Sequence, residues 1–150
     1  MTADARRRLE AILENELDVA RELTESLDAE RAALTGVSPE AVIAQSALKV
    51  SLLGRLEQLE SSRRDLCREH DVELPPAASA AAADGVTARW RSLMELMVRC
   101  RAANEVNGYI INVRRNQVRE LIDVVRGTKT FTYGPAGKTS PKALRALARA

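Results

Sequence analysis

Apolar residues recur at threes and fours through the first 34 positions. Leu9, Leu13, Leu17, Ala20, Leu23, Leu27 and Leu34 form one stripe, and charges fill the remaining positions. That period is helical and predicts a first helix over residues 4–34. Gly36 marks its end. Ser38 and Pro39 then supply an N-cap and a first-turn proline for a second helix. The short connection predicts that these two helices run antiparallel.

The second pattern runs over about 39–71, with Leu48, Leu52, Leu56, Leu59 and Leu66 as its seam. Arg63 falls on the same stripe and interrupts it. Pro75 and Pro76 stop the helix. The segment LPPAASAAAADGVT, 74–87, reads as a linker or a short helical turn.

A third and longest helix is expected over about 87–126, with Thr87 as its cap and Gly127 as its C-terminal stop. Trp90, Met97, Asn104, Ile111, Val118 and Val125 recur at an interval of seven, flanked by Leu93, Met94, Leu121 and Ile122. A seven-residue period predicts shallow, coiled-coil-like packing along that line. At 1.5 Å per residue the helix would be about 60 Å long. The expected fold is all-α: an elongated antiparallel bundle of three long helices over 1–127, then a flexible or short-helical tail over 128–150. No repeat of solenoid length is visible.

Asn104, Asn107 and Gly108 sit together halfway along this helix, where Gly costs about 1 kcal/mol relative to Ala. Two readings apply. In the first they are a packing device: Gly admits a close neighbour and a seam Asn fixes register. In the second they are a recognition patch.

Composition narrows the function. The 150 residues are 45% hydrophobic but 3% aromatic and 29% charged, which suits long helices with aliphatic seams. No run reaches the roughly 18 apolar residues of a membrane span, and the first residues lack the apolar core of a signal peptide. A cytoplasmic protein without stable membrane insertion is expected. The net charge of +2 is unevenly spread. Residues 1–74 carry 10 basic and 16 acidic side chains, and residues 75–150 carry 13 and 5.

Enzyme chemistry has no visible carrier. His70 is the single histidine, within a charged stretch. Cys67, Cys100 and His70 fall short of the four ligands of structural zinc, so neither metal nor cofactor is expected. GPAGKTS, 134–140, mimics a phosphate loop, but Thr132 stands where its first Gly belongs. In the tail, Phe131 and Tyr133 precede a pattern that predicts a short amphipathic helix, with Ser140 as its cap and Leu144 and Leu147 on one face. The tail is the expected interaction segment.

NEVNGYIINV, with Asn104, Asn107 and Gly108, and TYGPAGK at 132–138 together resemble the FlgN family of flagellar export chaperones. The Leu- and Glu-rich antiparallel helices upstream fit as well. The resemblance implies a cytosolic type III chaperone. It would bind the C-terminal segments of hook–filament junction proteins and deliver them to the export gate, with Tyr133 as the gate-docking candidate. The client-binding groove is then expected at Trp90, Met94, Met97, Asn104, Asn107, Gly108 and Ile111. Phe131, Tyr133, Leu144 and Leu147 would form the tail site. Monomer and dimer both remain open. Two other classes fit: a structural coiled-coil module with a constitutive protein partner, and a nucleic-acid binder using the basic tail. For the second, nothing beyond charge speaks, and no nucleic-acid partner is expected.

Overall fold

In a computed structural model, which describes residues 1–36, 38–74 and 85–127, the chain forms three helices and no strand among those residues. They are α1 (Ala3–Thr35), α2 (Pro39–Glu69) and α3 (Gly85–Val125). The chain divides into two units, Met1–Tyr109 and Ile110–Ala150, with α3 entering both.

Local chemistry sets the helix ends. Thr2 caps α1, its side chain accepting from the Ala5 amide at 3.2 Å. Ser38 caps α2 by accepting from the Ala41 amide at 3.3 Å, and Pro39 takes the first helical position. The end of α2 is a Schellman turn. The Val72 amide donates to the Cys67 carbonyl at 2.8 Å, around Asp71 at φ 52°. Gly127 has φ 71°, and its amide donates to the Val124 carbonyl. Thr87 is not the cap of α3. That helix begins two residues earlier at Gly85, which leaves the Thr87 hydroxyl buried inside the first turn with no hydrogen-bond partner among the described residues.

In the first unit α1 is central. Its whole expected stripe is buried, and so are Val19, Ser26, Glu16 and Glu30 on other faces. Ion pairs fix the directions. Glu16 meets Arg63, Glu22 meets Arg55 and Glu30 meets Lys49, so α1 and α2 are antiparallel. Glu14 meets Arg89, and the Leu27 carbonyl accepts from Asn107, so α3 runs parallel to α1. The result is an up-down-up bundle. One core cluster gathers Leu9, Leu13, Leu17, Leu66, Val86 and Leu93. A second gathers Val19, Leu23, Leu27, Leu52 and Cys100.

The buried line of α3 differs from the expected one. It comprises Val86, Leu93, Cys100 and Asn107, also seven apart, while Trp90 and Met97 are half-buried and Asn104 is exposed. A heptad seam has two such lines, three and four residues apart. The line with smaller side chains faces α1, and the bulkier Trp90 and Met97 take the flank. In the second unit, Ile110–Gly127 contains no buried residue. Ile111, Val118, Leu121, Ile122 and Val125 form an exposed apolar line.

Candidate functional site

The first unit carries an apolar groove of about 550 Å³. Its α3 wall is Met94, Met97, Val98, Arg101 and Asn104, spaced at threes and fours and therefore on one helix face. Leu23 and Leu27 of α1 and Cys100 form the floor, and Lys49 and Leu53 of α2 form the opposite wall. Methionine suits such a surface, because its unbranched thioether adapts to differently shaped partners.

Of the residues expected at a groove, the structure brings together Met94, Met97 and Asn104 here. Trp90 lies elsewhere: the Arg63 guanidinium sits 4.8 Å from its ring centroid, beside a polar recess lined also by Glu60, Arg64 and Cys67. Asn107 is buried beneath the surface. Gly108 is half-buried, and among the described residues a Cβ placed on it would meet nothing within 4 Å, so neither of the other two helices approaches closely there. Ile111 belongs to the second unit and is exposed. Phe131, Tyr133, Leu144 and Leu147 lie outside the described residues.

The pattern alone did not place Leu23, Leu27, Lys49, Leu53, Val98 and Arg101 at a groove. Val98 and Arg101 had a signal, since they stand four residues beyond Met94 and Met97 on the same helix face. The α1 and α2 residues had none without the register between helices.

A satisfied polar cluster lies behind the Asn104 end of the groove. Asn107 Nδ2 donates to Glu30 Oε2 at 2.8 Å and to the Leu27 carbonyl at 2.9 Å, while Arg31 Nε donates to Asn107 Oδ1 at 3.2 Å. Lys49 Nζ donates to Glu30 Oε1 at 2.6 Å and to Asn104 Oδ1 at 3.3 Å. Burial pushes the Glu30 carboxyl up, but the hydrogen bonds from Lys49 and Asn107 and the Lys49 charge outweigh it, leaving the group below its ordinary 4.5. Glu16 goes the other way. Burial raises its carboxyl above the ordinary value, although Arg63 Nε donates to both of its oxygens at 3.0 Å.

Burial also raises the Cys67 thiol above its ordinary 9.0. Among the described residues no cluster of His, Cys, Asp and Glu could hold a metal ion, and no helix is long and apolar enough to cross a membrane.

Known proteins resemble this chain along nearly its whole length. The family model for FlgN protein matches residues 1–141. The "Flagella synthesis protein FlgN" of Salmonella typhimurium strain LT2 is 27% identical over 136 residues, which span 89% of this chain and 91% of its own. The protein of the same name from Salmonella typhi matches with the same identity and coverage. No solved structure matches.

Proposed function

We propose that the chain, which belongs to the FlgN family, is a cytoplasmic type III flagellar export chaperone. It holds the C-terminal segments of hook–filament junction proteins and delivers them to the export gate. The observation that carries this reading is the apolar groove between α2 and α3. A segment that is unstructured before assembly exposes an apolar stripe, and a preformed groove covers it as a docked amphipathic helix. Such holding requires no chemical step. Tyr133 is the proposed contact with the gate.

Val98→Asp tests the groove. Val98 is 69% exposed, so a charge there leaves the bundle intact. Titration of a junction-protein C-terminal segment should show binding to the native chain and weakened binding to Val98→Asp, at equal helix content. Equal binding by both proteins rules the groove out. Tyr133→Ala should bind client normally and lose export in cells.

The exposed line Ile111, Val118 and Val125 supports a second reading, a coiled-coil module with a constitutive partner. That reading requires one stable complex throughout flagellar assembly. A chaperone releases its client.

A further inference from the structure

The groove is unevenly charged. Among the described residues its lining contains two cations, Lys49 and Arg101, and no carboxylate. Both lie toward one end: Lys49 reaches Asn104, and Arg101 precedes Asn104 by one turn of α3. Met94 and Met97 line the other end without charge. Lys49 is already committed to Glu30 at 2.6 Å. Arg101 is exposed, and no hydrogen bond or ion pair joins it to another described residue. Its five N–H donors form a planar fork matched to a carboxylate.

The wall from Met94 to Asn104 is about 15 Å long, the length of three helical turns. A helix that short does not persist alone in water, so its occupant folds on docking. The occupant's direction follows from charge. The C-terminal end of a helix carries a partial negative charge and its N-terminal end a positive one, so only the C-terminal end suits a cationic groove mouth. We infer that the groove binds the last helix of the client with that helix's free α-carboxylate accepting hydrogen bonds from the Arg101 guanidinium. This rests on the chaperone reading above and adds a polarity and a terminus to it.

The test is calorimetric titration of the full chain with a synthetic junction-protein C-terminal peptide, made as free acid and as amide. For the native chain, amidation should weaken binding about three- to tenfold, in keeping with a partly exposed charge-assisted pair. Arg101→Glu should weaken the free acid at least as much and erase the difference between the two peptides. Arg101→Lys should restore part of it. Equal affinity for acid and amide in the native chain overturns the inference while leaving the chaperone reading in place. So does an amidation loss that survives in Arg101→Glu, since the carboxylate then sits elsewhere. Self-association of the native chain that Val98→Asp abolishes would put a second copy in the groove, and also overturns it. Binding of neither peptide refutes the chaperone reading itself.

Discussion

Glu30 on α1 and Asn107 on α3, each 1% exposed, are joined by a 2.8 Å hydrogen bond from Nδ2 to Oε2. Asn107 is the last residue of the buried line of α3, and Lys49 brings α2 to the same carboxylate. Three helices therefore meet at one buried charge. Asn107→Leu would remove two donors and one acceptor and place a leucine against that carboxylate. Leaving a buried charge short of partners costs about 2–4 kcal/mol. Urea unfolding should show that loss. An unchanged midpoint would mean that the asparagine is dispensable to the bundle.

The two buried glutamates give opposite pH dependences. Glu30 has a lowered carboxyl, so its contribution is present above the ordinary value of 4.5 and is lost as pH falls through its folded value. Glu16 has a raised one, so its contribution is present at low pH and is lost as pH rises through its folded value. Unfolding free energies measured from neutral to acid pH should therefore separate the variants. Glu30→Gln should flatten the acid decline, and Glu16→Gln should steepen it. Parallel pH profiles for the two variants would contradict both assignments.

Arg63 interrupts an apolar seam because Glu16 faces it from α1. Arg63→Met strands a buried carboxylate, which costs about 3–5 kcal/mol. Glu16→Leu combined with Arg63→Met removes both charges and should recover most of that loss. Denaturant melts can follow Trp90, the single tryptophan, whose ring lies under the Arg63 guanidinium. A double variant as weak as Arg63→Met alone would mean that the packing of the Arg63 stem, not its charge, matters there.

The leucines of α1 and the Ser38–Pro39 start of α2 were legible because each is written in neighbouring residues. The facing line of α3 was not. Its two heptad lines are both apolar over 86–100, and a period carries no phase. Glu16 and Glu30 read as solvated, since an acidic side chain is rarely fully buried without a partner, and the partners lie on another helix. Arg63 was the available clue, because a cation on an apolar stripe implies a buried anion opposite. The groove depends on the register among three helices. Only its α3 wall could be read from spacing.

Gly108 gives the separable test of the mid-helix weak formers. It lies inside α3 with ordinary helical backbone, and an added Cβ meets nothing within 4 Å. Glycine there contributes no close packing among the described residues, yet it costs the helix conformational entropy. Gly108→Ala should therefore raise stability by about 1 kcal/mol. A stability cost to the native chain suggests that the open space serves a partner. If a client backbone approaches α3 at this point, the methyl group of alanine should weaken client binding while the melting temperature rises. Thermal unfolding and peptide titration on the same preparation read both effects. A stabilised variant with unchanged affinity removes Gly108 from the client site. A destabilised variant would contradict the open space around its Cα.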